Sequence, residues 1–281
     1  MPRLFDVHTH TQFAAYEGDS KEVIDRALSQ DIWVLNVGTQ KDTSLEAVKI
    51  AEGYAEGVYA TVGLHPIHTE KSYHDGEELG AAPTGGEPRL EFYSRREDFD
   101  YGYYLNLGGN KKVVAVGECG LDYYRLSGET REKQTMVFEE QIRLAQELKK
   151  PLMIHCRQAF TDLIEVLRSN RGRLNNPPGL VHFFTGTAYD ARNLLELGFS
   201  FSFGGVVTFA RDYDDALKFI PLKNILLETD APYVSPIPFR GKRNEPANIV
   251  HIAKQVAEIK GVSLEEAERT TTDNARKLFR V

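Results

Sequence analysis

The chain has 281 residues, 41% of them hydrophobic, enough for one large core or two small ones. Its formal net charge of −7 makes it a poor non-specific binder of nucleic acid, because affinity for phosphate backbones comes largely from Lys and Arg; any phosphate chemistry must rest on local cations or bound metal. Two cysteines exclude a disulfide scaffold, the first residues lack the apolar stretch of a signal peptide, and no apolar run approaches the roughly 18 residues of a membrane helix, so the expectation is a cytoplasmic globular protein with no membrane partner.

In chain order, LFDVHTH (4–10) reads as a strand, and Asp19-Ser20 is placed to cap a helix over KEVIDRALSQ. IWVLNVG (32–38) is the second strand, followed by LEAVKIAEGYAE with Thr43-Ser44 as its expected cap. VYATVGLH (58–65) is the third. Residues 72–109, polar and Gly/Pro-rich and then aromatic, break the rhythm. A connection this long is either a family-variable insertion or a lid that bears on substrate. KVVAVGECG (112–120) is the fourth strand, and 129–149 a long amphipathic helix with Met136, Ile142, Leu144, Ala145 and Leu148 near helical spacing. PLMIHC (151–156), GLVHFFTG (179–186), FSFSFGG (199–205) and NILLETDA (224–231) complete the strands. FTDLIEVLRSN and YDARNLLELG are the helices after the fifth and sixth, the latter stopping at Gly198. PANIVHIAKQVAEIKG and SLEEAERTTTDNARKLF are two terminal helices.

The strands are near-continuous apolar runs, as strands buried on both faces should be. Alternation of β and α implies a parallel sheet, and eight strands in this length favour a (β/α)8 TIM barrel, for which about 250 residues is typical. The expected organisation is one α/β domain over 1–281, with an extra C-terminal helix and an insertion between strands three and four.

In such a barrel the C-terminal strand ends open onto one face, where active sites sit. His8 and His10 end strand one, Glu118 strand four, His155 strand five and Asp230 strand eight; His182 lies on strand six. A single histidine on an apolar strand is more often a satisfied core residue than a ligand. Six such residues converging are the imidazole and carboxylate set of zinc, manganese and related divalent ions. Six donors exceed one tetrahedral site and suit two ions roughly 3.5–4 Å apart. Mg, Mn or Zn would fit. Glu118 is the bridging candidate. The first ion would take His8, His10, Glu118 and Asp230, and the second Glu118, His155 and His182. The nucleophile would be a metal-activated water, with Asp230 as general base. His65, ending strand three, is a substrate contact or a supporting group, weighed equally against a plain structural role. Glu228 shares a face with Asp230 and could orient a ligand histidine. Cys119 and Cys156 should turn away from the metals, and Phe183, Phe184, Phe201 and Phe203 should pack in the core.

HTH at the start, then GLHP, GECGLDYY, IHCR, VHFFTG and ETDAPY in this order, resemble the TatD family of metal-dependent deoxyribonucleases, amidohydrolase-type barrels, over nearly the whole chain. The resemblance implies a divalent-metal centre and hydrolysis of DNA phosphodiester bonds, in characterised members often as a 3′-to-5′ exonuclease. Its metal-binding positions fall on His8, His10, Glu118, His155, His182 and Asp230. Glu118 stands where many amidohydrolases carry a carboxylated lysine. Two departures bear on substrate class: the 72–109 segment is long for the family, and Ile67 follows the HP dipeptide with His68 one residue later.

A DNA substrate, single-stranded or presenting a 3′ end, needs cations on its phosphates. Arg125, Arg157, Arg240 and Arg243 are the candidates, each weighed against a surface salt bridge. Tyr123 and Tyr124 could stack on a base, although packing is the stronger expectation for at least one of them. Two alternatives compete. An ester or amide hydrolase, including one acting on aminoacyl-tRNA esters, would use the same dinuclear centre. A non-enzymatic scaffold with a vestigial site is disfavoured by the intact six-residue set.

Overall fold

The eight apolar segments form eight parallel strands: β1 (Leu4–Thr9), β2 (Ile32–Val37), β3 (Val58–Val62), β4 (Val113–Asp122), β5 (Leu152–Arg157), β6 (Gly179–Val181), β7 (Ser200–Phe203) and β8 (Ile225–Leu227). They close into a barrel in the order β1-β8-β7-β6-β5-β4-β3-β2. This is a computed structural model, and it describes residues 1–71, 73–74, 92–93, 95–124 and 128–281. Eight helices follow the strands in turn: α1 (Ser20–Leu28), α2 (Lys41–Glu52), α3 (Tyr101–Gly108), α4 (Gly128–Leu148), α5 (Phe160–Ser169), α6 (Ala188–Glu196), α7 (Asp214–Phe219) and α8 (Ile249–Lys260). The extra helix at the C-terminus is α9 (Leu264–Phe279). Among the described residues, no helix is long and apolar enough to cross a membrane.

The apolar pattern divides between two cores. Phe5, Leu35, Val114, Met153, Leu180 and Leu226 fill the barrel interior near the N-terminal strand ends, where Ala275, Leu278 and Phe279 of α9 join them. The opposite side chains, such as Leu4, Val34, Ala60, Val116 and Ile154, pack outward against the helices. Parallel strands buried on both faces are the physical reason for the continuous apolar runs.

Three expectations change. The helix after β2 begins at Lys41, two residues before the expected cap; Thr43 lies inside its first turn, where its Oγ1 accepts from the Thr39 and Gln40 amides at 2.9 Å each. The segment 72–109 is not all insertion, because its end is α3, the barrel's own third helix, capped by Asp100, whose carboxylate accepts from Tyr103 N at 3.0 Å. Tyr73–His74 and Phe92–Tyr93 pair as a short antiparallel ribbon; residues 75–91 between them, where a lid was considered, lie outside the described residues. The short helix α7 had no counterpart in the apolar pattern.

The ladder is irregular where the chemistry-bearing residues sit. The β1–β2 register shifts between Asp6 and Thr9, around His8, and the β4–β5 register shifts between Val116 and Cys119, around Glu118. Such irregularities re-aim side chains beside functional sites.

Candidate metal centre

β1 delivers His8 and, one residue beyond its end, His10; their Nε2 atoms lie 3.1 Å apart. β1 is tied to the chain beyond β8 by Asp6, whose carboxylate accepts from Thr229 N at 2.9 Å, Thr229 Oγ1 at 2.5 Å and His8 N at 3.2 Å. Asp230 N donates to His8 O at 2.8 Å, so the Asp230 carboxylate is fixed beside the two histidines. Its Oδ1 is 3.4 Å from His10 Nε2 and 3.7 Å from His8 Nε2.

Glu118, on β4, stands between two donor groups. Its Oε1 faces His182 Nε2 at 2.8 Å, His155 Nδ1 at 3.1 Å and His65 Nε2 at 3.2 Å. Its Oε2 faces His8 Nε2 at 3.4 Å and His10 Nε2 at 3.9 Å. Among the described residues, three sets offer donor atoms within 4.8 Å of one another: His8 with His10 and Asp230, His8 with Glu118 and His182, and His65 with Glu118 and His155. The structure therefore brings all six expected residues together and adds His65. His182 and Asp230 lie just past their strands rather than on them, because β6 and β8 end at Val181 and Leu227.

The polar surroundings orient these groups. His10 Nδ1 meets Val37 O at 2.8 Å, and His155 Nε2 meets Asp122 Oδ2 at 2.9 Å. His182 Nδ1 is 3.6 Å from Glu228 Oε1, and Ser202 Oγ donates to Glu228 Oε2 at 2.5 Å. His8 stacks on His182 with ring centroids 3.8 Å apart, and His10 on Phe13 at 4.4 Å. Asp122 was missed in the sequence because the fourth strand was ended at residue 120; β4 runs on to Asp122, four residues past Glu118 and on its face. Also missed were Gln134 and Gln141 of α4. Gln141 bonds both Leu64 N and Leu64 O at 2.9 Å, and Gln134 does the same for Asp122 at 2.8 Å, so one helix holds the backbones that carry His65 and Asp122.

The electrostatics follow from the crowding. Burial raises the Glu118 carboxyl, but the imidazoles of His65, His182 and His8 outweigh it and hold it well below the usual carboxylate range. Burial likewise raises Asp122, yet its hydrogen bond to His155 brings it down to about 2. Burial pushes His65 down to about 4. His182 is raised well above its usual value in spite of burial, chiefly by Glu118 and Glu228. Among the described residues, the ion pairs found for Glu118, Asp122 and Asp230 are with histidines. Buried carboxylates ringed by imidazole nitrogens are a donor set matched to a divalent cation, which would neutralise them without protonating the histidines. Glu118, Asp230, His8, His10, His155 and His182 would hold it.

A cavity of about 310 Å³ opens over this floor, walled by Phe13, Phe183, Tyr213, Tyr233, Val234 and Arg157. Gln158, Phe183, Asp230 and Val234, close to the strand ends, have φ between 43° and 54°, the left-handed region that non-glycine residues occupy where surrounding structure enforces it, often at functional sites. Phe183 is thus a wall of the cavity, not core as expected, whereas Phe184, Phe201 and Phe203 are buried in the core. Cys119 Sγ turns away, to Met153 O at 3.5 Å, but Cys156 lines the cavity, contrary to expectation; burial pushes its thiol well up, which keeps it a neutral wall residue.

The expected substrate arginines separate. Arg157 lines the cavity, its guanidinium 3.7 Å above the ring of Tyr124. Arg125 lies outside the described residues. Arg240 stacks on Phe209 at 3.8 Å and is not among the cavity's lining residues. Arg243, expected at substrate, is instead held by Asp19 at 2.5 Å and the Ala15 carbonyl at 2.8 Å, over the ring of Tyr16. Tyr123 is engaged by Asp162 at 2.9 Å, so Tyr124 is the more accessible of the pair.

A (β/α)8 barrel with a His/Glu/Asp cluster at the C-terminal ends of its strands is the architecture of a metal-dependent hydrolase. The TatD related DNase family matches residues 5–280, and the chain belongs to that family. It is 36% identical over 281 residues to the uncharacterized metal-dependent hydrolase YabD of Bacillus subtilis, covering 99% of each chain. It is 34% identical over 284 residues to the 3′-5′ ssDNA/RNA exonuclease TatD of Pantoea ananatis, covering 98% of this chain and 99% of that one. The crystal structure of the TatD homolog YJJV from Escherichia coli K12 superposes with a TM-score of 0.81 at 26% identity, covering 99% of this chain and 98% of the other.

Proposed function

We propose that this metal-dependent hydrolase is a nuclease that removes nucleotides from the 3′ end of single-stranded DNA at a dinuclear centre. The observation that carries the reading is the division of Glu118: one oxygen faces His155 and His182, the other His8 and His10. A carboxylate so placed suits a bridge between two ions. Bound divalent ions would polarise the scissile phosphoryl group and make a water acidic near neutral pH. Asp230 is the proton acceptor in this reading: both carboxylates line the cavity, but the Asp230 side chain is 18% exposed against 4% for Glu118. Arg157 supplies a planar donor for a phosphate, and the aromatic walls suit an unstacked base. A cavity of about 310 Å³ is at the small end for ligand pockets, which favours a strand end over a duplex. The name of the Pantoea ananatis relative supports the same substrate class.

The test strips the protein with chelator and restores Mg²⁺, Mn²⁺ or Zn²⁺ separately. Cleavage of 5′-labelled single-stranded DNA is followed beside the same strand in duplex and an aminoacyl ester. The reading expects a ladder shortening from the 3′ end of the single strand. No DNA cleavage with any metal, alongside ester hydrolysis, would sink it.

A further inference from the structure

Three histidines face Glu118 Oε1, and the hydrogen bonds on their far sides are not alike. A backbone amide can only donate, and Ile67 N lies 3.2 Å from His65 Nδ1, which must therefore accept. A neutral imidazole carries one N–H, so with Nδ1 accepting, the hydrogen sits on Nε2. That Nε2 lies 3.2 Å from Glu118 Oε1, which accepts. His10 and His155 are wired the other way. The Nδ1 of His10 meets the Val37 carbonyl at 2.8 Å and must donate to it, and the Nε2 of His155 meets the Asp122 carboxylate at 2.9 Å, so each ring, when neutral with its hydrogen on the far side, can turn a bare nitrogen to a cation at the centre.

We propose that His65 is not a metal ligand but a positioning residue, whose Nε2–H holds Glu118 Oε1 in place between the donor groups. The backbone serves this one tautomer. Pro66 opens the 3-10 turn Pro66–Thr69, which aims Ile67 N at the ring; His65 N donates to Thr39 O at 2.9 Å; and Gln141 grips Leu64 on both its N and O. With both ring nitrogens engaged, the imidazole cannot turn over without losing a bond on each side. The inference rests on the metal-centre reading of the cluster but on no particular substrate.

The test is long-range ¹H–¹⁵N NMR of histidine-labelled protein, stripped and then loaded with Zn²⁺, with bound zinc counted in parallel. The expected result is an Nε2–H pattern for His65 in both states, while His10 and His155 shift on loading. A His65 Nε2 that loses its hydrogen and shifts with zinc, or an Nδ1–H pattern in the stripped protein, would overturn the proposal. His65→Ala and His65→Gln give a second arm. His65→Ala should keep the full zinc count at saturation but bind it about tenfold or more weakly, and His65→Gln, which keeps a donor, should recover most of that loss. Loss of a whole zinc equivalent in His65→Ala would overturn the assignment. Failure of the wild type to take up any zinc would show in the metal count alone; it would refute the metal-centre reading and take this assignment down with it.

Discussion

Asp122 orients His155, and its removal separates orientation from ligation. In Asp122→Asn the His155 ring keeps its neighbours but loses a charged partner at 2.9 Å. Loss of such a partner typically lowers metal affinity or activity about 10–100-fold, and calorimetric titration of stripped protein with Mn²⁺ would measure it. The same pair sets an acid dependence in stripped protein. Asp122 is held at about 2 when folded, against about 3.9 in an unfolded chain, so its contribution is complete above pH 4 and lost as pH falls from 4 to 2. The stability gap between wild type and Asp122→Asn should narrow by about 2 kcal/mol across that window in urea titrations, and a gap independent of pH would contradict the pairing. Most members of the cluster were legible because a barrel converts strand ends into neighbours, and HTH, GEC, IHC and ETD mark those ends. Arg243 was not, because its partner Asp19 is distant in sequence and only the fold brings the two together.

Between elements, one tight constraint near the centre is at the β4–β5 seam. Gly120 has φ +132°, and a Cβ there would lie 2.1 Å from His155 O, inside the backbone that carries the His155 imidazole. Gly120→Ala should cost at least about 3 kcal/mol, or abolish folding, whereas Gly172→Ala, with nothing within 4 Å, should stay within about 0.5 kcal/mol. Equal effects in denaturant titrations would refute this account of the seam. Element existence was readable from apolar runs, but element ends were not. HFFTG and LETDA continue the apolar pattern after the chain has left the barrel, so β6 and β8 were drawn too long. α3 was hidden because YGYYLNLG lacks charged residues to mark a polar face, although Phe99 stacks on its Tyr104 with centroids 4.9 Å apart.

Across the molecule, stability and chemistry occupy opposite ends of the barrel. α9 closes the N-terminal end: Phe279 packs on Phe5 at 5.9 Å, Asn274 bonds the Leu222 and Ile225 carbonyls at 2.9 and 2.8 Å, and Glu268 pairs with Arg3 at 2.6 Å. Phe279→Ala should destabilise by about 3–5 kcal/mol and leave Mn²⁺ affinity of the folded protein unchanged; a matching loss of affinity would show the two ends to be coupled. The barrel was legible as a whole because its eight strands are buried on both faces. The use of residues 72–109 was not, since one segment combines an insertion with the barrel's own third helix. The whole arrangement converges on Glu118, whose carboxylate oxygens lie within 4 Å of nitrogens of five imidazoles. The most direct test compares wild type with Glu118→Gln, each stripped and reloaded with Mn²⁺, by bound-metal count and by shortening of 5′-labelled single-stranded DNA. The account predicts that Glu118→Gln binds less metal and cleaves at least about 100-fold more slowly. A variant that keeps the wild-type metal count and rate would contradict it.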